Sequence, residues 1–357
     1  MFSKMIFGES LPTWALFFEL ALASAVVIGT GSRLSRVADA MATKLNLGSG
    51  WIGLILLATV TSLPEVISGG TATWIGNVDL ALGGILGSCS LNITILVLLN
   101  VLMGGGSLLR GVRASHTLSS SFGLLLLGLA MMGMVVMGKL HNAPRAAQVF
   151  EMVWVGSILI TYLGCMRLCF QFERKLPAEA SKAATSTNGN GLYRQVALLS
   201  GIIVGTSWWL AQIADTLCTH EIGLLGRPLG ATFVGAGFLA FATSLPEIST
   251  SVAAVRLGNL DLALGNIFGS NMFNIFVIPM LKAVSWFRGD ALLIAPGVVD
   301  TQQNLIAGLL AILLTTIAVG GLTYQSTRKV FRRLGFDSVL IALVYVGGMI
   351  LLLMDYG

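Results

Sequence analysis

Charge is scarce in this sequence. Asp, Glu, Lys and Arg make up 10% of its 357 residues, against about 25% in soluble domains. So few charges cannot cover a water-facing surface of this size, which excludes an ordinary soluble protein. Histidine is scarcer still: His116, His141 and His220 all fall at span ends or in loops and form no cluster. The four cysteines (Cys89, Cys165, Cys169, Cys218) show neither a paired framework nor metal spacing. Cys165 and Cys169 share a helix face, where small apolar packing is their expected role. With no nucleophile–base pair and no redox motif, an enzyme is the least expected class, and no cofactor is expected.

What the sequence has in abundance is apolar length. Hydrophobic residues reach 55% and mean hydropathy is +0.86. Runs of about 20 apolar residues, enough to cross a bilayer as a helix, recur along the whole chain. They predict an all-α membrane protein with ten spans, 12–32, 50–74, 78–103, 115–137, 148–170, 193–217, 229–255, 260–284, 303–323 and 335–355. The first run is too long for a cleavable signal and lacks its small-residue site; Arg33–Leu47 continues it as an amphipathic extension. Of the 21 Lys and Arg, 15 fall in the odd-numbered connections. The other six are Lys4, Lys139, Arg145, Arg227, Lys282 and Arg288. The positive-inside rule then puts both termini outside, and the net charge of +5 reports topology and not nucleic-acid binding.

The chain repeats itself. ATVTSLPEVISGGTATWIGNVDLALGGILGSCSLNI (58–93) and AFATSLPEISTSVAAVRLGNLDLALGNIFGSNMFNI (240–275) agree without a gap at 19 of 36 positions, far more than chance gives in apolar sequence, so the segment is duplicated. Five spans precede the polar stretch Gln171–Gly191 and five follow it. The expected organisation is a first repeat over 1–170, a cytoplasmic linker over 171–192 and a second repeat over 193–357. An odd number of spans per half makes the halves enter the membrane from opposite sides. Inverted repeats of this kind are the pattern of secondary transporters, with the site near the midplane where the halves meet.

Both copies carry TSLPE inside an apolar run. On a rise of about 1.5 Å per residue, Glu65 lies near the bilayer centre. Ala58, Thr61, Ser62 and Glu65 fall on one helix face. Pro64 has no N–H, so the Val60 carbonyl loses its helical partner and neighbouring carbonyls, Ala58's included, can tilt outward. Ala240, Thr243, Ser244 and Glu247 repeat the arrangement, with Pro246 freeing the Ala242 carbonyl. The next helix adds Ser88 and Asn92 in one copy and Ser270 and Asn274 in the other. These are hard oxygen donors without sulfur or imidazole, which suits Ca²⁺, Na⁺ or Mg²⁺ and argues against Zn²⁺ or copper. Two carboxylates also balance one divalent ion, which matters where an unpaired charge is costly.

The turns GNVDLALGG and GNLDLALGN read as structural. Asp79 and Asp261 are expected to cap the helices that follow, and Gly83, Gly87, Gly265 and Gly269 to allow close helix contact. Glu19 lines an access path or faces a cavity; Glu151 and Asp215 read as interfacial; Asp290 and Asp300 belong to an outer loop.

At these residues the chain resembles the cation/calcium antiporter superfamily, nearest its sodium/calcium exchanger branch. The resemblance rests on TSLPE followed by the serine of GS and an asparagine four residues on, twice, and it covers nearly the whole chain. It implies a ten-helix inverted-repeat exchanger fold. It also implies that Ala58, Thr61, Ser62, Glu65, Ser88 and Asn92, with Ala240, Thr243, Ser244, Glu247, Ser270 and Asn274, form adjacent sites for Ca²⁺ and Na⁺, and that the long first and sixth helices slide to gate them. Val60 and Ala242 stand where the family often has glycine. Gly84 and Cys89 stand opposite Asn266 and Asn271. Asn274 replaces the Asp of some potassium-dependent relatives, which weakens a K⁺-coupled reading. The expectation is a Ca²⁺/Na⁺ antiporter in a prokaryotic plasma membrane, with the lipid bilayer and the ions as its partners and a monomer as its form. A Ca²⁺/H⁺ antiporter, a channel, and a non-transporting scaffold or sensor are the alternatives.

Overall fold

The computed structural model describes residues 13–45, 47–103, 108–109, 112–140, 142–175, 189–219, 235–295, 299–324, 329–331 and 334–354. These are almost wholly helical: α1 (Thr13–Leu45), α2 (Ser49–Trp74), α3 (Val78–Met103), α4 (Ala114–Lys139), α5 (Pro144–Glu173), α6 (Gly189–Thr219), α7 (235–256), α8 (Leu260–Arg288), α9 (Thr301–Tyr324) and α10 (Phe336–Leu353). A small antiparallel pair, β1 (Lys329–Phe331) and β2 (Leu334–Gly335), precedes α10. Among the described residues, eight helices are long and apolar enough to cross a membrane, namely α1–α5 and α8–α10. The sequence predicts ten crossings; α6 and α7 lie where the sixth and seventh were placed. The core of the expected linker (176–188), the start of the expected seventh span (229–234), and Lys4, His141, His220 and Arg227 lie outside the described residues, as do the side chains of Asp215 and Cys218.

Burial divides the helices by role. α3 and α8 are sheathed by other helices, whereas α5 and α10 are mostly exposed. The apolar groups that α1 and α5 present outward, Phe17, Phe18, Leu22, Val149, Met152, Val153 and Ile160 among them, are what lipid-facing helices carry. Glycines let backbones meet where the fold is tightest. A Cβ on Gly265 would run into the Gly50 carbonyl, one on Gly269 into Leu54 and Ala58, and one on Gly87 into the Ala236 backbone. Each of these crossings joins a helix of one repeat to a helix of the other: α8 to α2, and α3 to α7.

The turns between α2 and α3 and between α7 and α8 differ from expectation in one respect. Gly76 (φ 88°) and Gly258 (φ 77°) supply the left-handed residue. The capping is done by the preceding asparagines, not the aspartates: Asn77 Oδ1 accepts from Leu80 N at 3.1 Å and Asn259 Oδ1 from Leu262 N at 3.0 Å. With the caps filled, the aspartates make tertiary contacts. Asp79 Oδ1 accepts from Asn304 Nδ2 (2.6 Å) and Asp300 N (2.9 Å), tying α3 to the start of α9. Asp261 Oδ1 lies 2.7 Å from His116 Nε2, tying α8 to the start of α4.

Glu151, expected at the interface, is fully buried. Its Oε1 accepts from the backbone N–H of Leu293 and of Ile294, both at 2.9 Å, and its Oε2 pairs with Lys282. Lys282, counted by sequence among the outer-side charges at the end of the eighth span, sits inside α8 and also donates to Ala291 O at 2.9 Å. The pair staples segment 291–294 onto α5 and α8. Removing one partner of a buried pair strands a charge and costs about 3–5 kcal/mol. Lys282→Met is therefore expected to lower the unfolding temperature of the detergent-solubilised protein by several degrees, and adding Glu151→Gln to recover most of the loss. An unchanged melting curve for the single variant would show that the pair carries no such strain.

Candidate functional site

Each repeat breaks its helix at the serine of TSLPE. Ser62 (φ −93°, ψ 4°) ends Ala58–Thr61 and begins Leu63–Trp74. Ser244 (φ −87°, ψ 5°) ends Ala240–Thr243 and begins Leu245–Arg256. The proline occupies the first turn of the second piece, where a missing N–H costs nothing. The carbonyls are more engaged than the proline alone suggests. Ala58 O accepts from Ser62 N at 3.0 Å and Ala240 O from Ser244 N at 2.9 Å, while Val60 O takes a backbone N–H at the cap. A carbonyl has two lone pairs, so Ala58 keeps one for a ligand, while the second of Ala240 also faces the Thr243 hydroxyl at 3.3 Å. Just before each break lies a feature that sequence does not show, a π-helical turn over Gly53–Leu57 and Gly235–Leu239. Such turns widen the coil and concentrate at functional sites.

The breaks bring eight of the twelve candidate residues (Thr61, Ser62, Glu65, Ser88, Thr243, Ser244, Glu247 and Ser270) into one hydrogen-bonded network, and all twelve are buried. Glu65 Oε1 accepts from Ser88 Oγ of its own repeat (3.1 Å) and from Ser244 Oγ of the other (3.4 Å). Glu247 Oε1 accepts from Ser270 Oγ of its own repeat (3.4 Å) and from Ser62 Oγ of the other (3.1 Å). The threonine hydroxyls cross in the same way: Thr61 lies 3.4 Å from Ser270 and Thr243 lies 3.5 Å from Ser88. Each of these serine and threonine contacts between repeats has its mate with the roles exchanged, the signature of a two-fold relation.

On the second oxygen of each glutamate the network stops. Glu65 Oε2, Glu247 Oε2 and both amide atoms of Asn92 and of Asn274 are buried with no protein hydrogen-bond partner among the described residues. Such atoms are rare in native interiors and call for an explanation. Here two are carboxylate oxygens and the others belong to two amides, on the four helices α2, α3, α7 and α8. Among the described residues no group of three or more His, Cys, Asp or Glu could hold a metal. A cation at this site would thus be held by two charges and a majority of neutral oxygens. That mixture fits an ion that must be released as well as bound.

Residues left aside by the sequence reading also take their places. Glu19 on α1 is buried and accepts from Trp209 Nε1 on α6 at 3.2 Å. Val60, in a frequent glycine position, is absorbed into an apolar cluster with Leu57, Ala254 and Ile267 and stays out of the polar centre. Cys89, Cys165 and Cys169 are free and buried. Two asparagines that sequence treated only as differences between the copies, Asn266 and Asn271, are wired into the centre. Asn271 Nδ2 donates to Cys89 O at 3.0 Å. Asn266 accepts from Thr61 Oγ1 at 3.2 Å.

A helical membrane protein with a duplicated, oxygen-lined centre shared between its two repeats is a secondary cation transporter in architecture. Comparison with known proteins agrees. The family model described as "Sodium/calcium exchanger protein" matches residues 15–170 and 195–354, and the chain belongs to that family, within the cation/calcium antiporter superfamily. It is 29% identical over 315 residues to the putative antiporter CaxA of Alkalimonas amylolytica, an alignment covering 83% of this chain and 88% of that one. It is 24% identical over 295 residues to the sodium/calcium exchanger MaX1 of Methanosarcina acetivorans, covering 73% and 81%. Among solved structures, the sodium-calcium exchanger NCX_Mj superposes with a TM-score of 0.65 at 18% identity, covering 94% of this chain and 98% of that one. That likeness concerns the fold. The chain is a multi-pass integral membrane protein, a cation antiporter by family.

Proposed function

We propose that this protein exchanges Ca²⁺ for Na⁺ across the membrane, by alternating access to the one site built on Glu65 and Glu247. The observation that carries the reading is the set of buried, unpartnered oxygens on Glu65, Glu247, Asn92 and Asn274. Two carboxylates match one Ca²⁺ in charge; the hydroxyls of Thr61, Ser62, Ser88, Thr243, Ser244 and Ser270 and the carbonyls of Ala58 and Ala240 extend the donor set to Na⁺. The same oxygens serve either load but not both. An empty site would leave two carboxylates without countercharge deep in the membrane, so the site turns around loaded, and exchange is obligatory.

In this reading ten helices form two inverted halves of five, the termini lie outside, and the linker faces the cytoplasm. A prokaryotic plasma membrane agrees with the bacterial and archaeal relatives. One observation favours protons as an alternative counter-ion: each glutamate has one oxygen held by two serines and one oxygen free to carry a proton. The experiment is Ca²⁺ uptake into proteoliposomes driven separately by an outward Na⁺ gradient and by a pH gradient. Uptake that follows Na⁺ is the expected result. Uptake that follows only the pH gradient would replace Na⁺ by H⁺, and uptake with neither would overturn Ca²⁺ antiport.

A further inference from the structure

The hydrogen-bond pattern around the two glutamates is reciprocal, but the ring behind it is not. In the second repeat Asn266 Nδ2 donates to Thr250 Oγ1 (2.9 Å) and Ser251 Oγ (3.0 Å). Thr250 Oγ1 in turn donates to Pro246 O (2.8 Å), next to Glu247. With both amide hydrogens committed, the orientation of the Asn266 side chain is fixed and its Oδ1 faces the other repeat. There it accepts the hydroxyl hydrogen of Thr61, at 3.2 Å. All the residues of this relay are buried. In the first repeat the matching positions are Ser68, Gly69 and Gly84. Gly84 and Gly69 face the apolar tips of Leu239 and Leu281 instead, and Ser68 turns back to Glu65 O at 3.4 Å. Thr243, the mate of Thr61, has no amide opposite it. It bonds its own helix, with Leu239 O at 3.0 Å and Ala240 O at 3.3 Å.

A hydroxyl can serve a cation only through its lone pairs, so its hydrogen must be taken elsewhere. For Thr243 the widened coil before the break takes it. For Thr61 a side chain from the other repeat does, which makes that hydroxyl removable by one substitution. We propose that Asn266 is a positioning residue for the counter-ion: it draws the Thr61 hydrogen away from the site and turns the Thr61 oxygen toward the cation bound beside Glu247. The two sides of the site are then unequal, the side of Thr61, Ser270 and Glu247 depending on the relay and the side of Thr243, Ser88 and Glu65 not. A divalent ion leans on the two carboxylate charges. Na⁺, with half the charge, leans relatively more on neutral oxygens, so the effect falls mainly on Na⁺. This inference rests on the Ca²⁺/Na⁺ reading above.

The test uses full-length protein in proteoliposomes, with half-saturating Na⁺ and Ca²⁺ measured for the parent, Asn266→Leu, Thr61→Val and the double variant. Leucine keeps the branching and heavy-atom count of asparagine, with two methyl groups in place of the amide oxygen and nitrogen, and so removes the amide. The expected result is a rise of about fivefold in half-saturating Na⁺ for Asn266→Leu, the worth of one hydrogen bond, with half-saturating Ca²⁺ moving less than about twofold. The double variant should be no worse than Thr61→Val alone, because both changes act through one hydroxyl. Equal shifts for both ions, additive losses in the double variant, or no Na⁺ shift would each overturn the inference. If Asn266→Leu does not insert or fold, Asn266→Gln serves: it keeps the amide but displaces it by a methylene, and the same Na⁺-selective shift is required. Parent protein whose uptake ignores Na⁺ would overturn the parent reading and this one together; Na⁺-driven parent uptake with an unaltered variant overturns this one alone.

Discussion

Glu247→Gln is expected to abolish Ca²⁺ exchange while leaving the protein folded, and Glu65→Gln to do the same. Glutamine has the shape of glutamate. Its carbonyl oxygen can keep the two serine hydrogen bonds that Glu247 Oε1 now accepts, from Ser62 and Ser270. Its amide nitrogen takes the place of Oε2, which has no protein partner to lose. What disappears is the charge. Stripping one partner from a buried charged contact costs about 3–5 kcal/mol, so Ca²⁺-dependent flux should fall by at least about a hundredfold. The checks are ⁴⁵Ca²⁺ flux in proteoliposomes and, alongside it, a monodisperse gel-filtration profile and parental melting temperature without added Ca²⁺. Full flux in both variants would remove the two carboxylates from the site. The paired result also carries information: because the contacts of the two glutamates are mirror images, one variant failing and the other working would mean that the halves bind different ions.

The second large effect is steric. A methyl group on Gly269 would lie 2.7 Å from the Ala58 Cβ and 2.8 Å from the Leu54 Cα, and closer still to the Leu54 carbonyl. These are backbone and near-backbone atoms that cannot swing aside, so Gly269→Ala must push α8 away from α2. Overpacking of this kind costs about 1–3 kcal/mol, and here the displaced residues are Ala58 and, next in sequence, Ser270. Transport is expected to fall at least about tenfold with a lowered melting temperature, since 1.4 kcal/mol of misplacement is worth a factor of ten. Gly128→Ala and Gly156→Ala are the controls. Neither position has an atom within 4 Å of the added methyl, and both variants should behave as the parent. A fully active Gly269→Ala would show that the α2–α8 contact is loose and does not set the site.

Much of this was legible in the sequence, for physical reasons that differ from residue to residue. Apolar runs long enough to cross a bilayer leave little choice but helix, and the helices fall at the expected places. The site was legible because its residues are polar where polarity is expensive and because they occur twice. Glu65 and Glu247, the hydroxyls beside them, and Ser88 and Ser270 share one hydrogen-bond network. Other features were invisible because they depend on what comes near in three dimensions. Nothing in the residues of Gly53–Leu57 announces a π-helical turn. Glu151 reads as interfacial until Lys282 and the backbone of Leu293 and Ile294 are seen around it. Asp79 and Asp261 have cap chemistry, but the asparagines two residues earlier take the caps and send them to α9 and α4. Asn266 was visible only as a mismatch between the copies, and that mismatch was the signal.

The reciprocity of the glutamate contacts has a consequence for assembly and descent. Each carboxylate is completed by one serine of its own repeat and one serine of the other. A single half therefore holds an incomplete receptacle, with its glutamate short of one donor and its serine donating to nothing. An ancestral single-repeat protein could have built this site only by pairing two copies face to face. Fusion into one chain would free the copies to diverge wherever the pairing does not forbid it, as at positions 84 and 266, where one copy has glycine and the other asparagine.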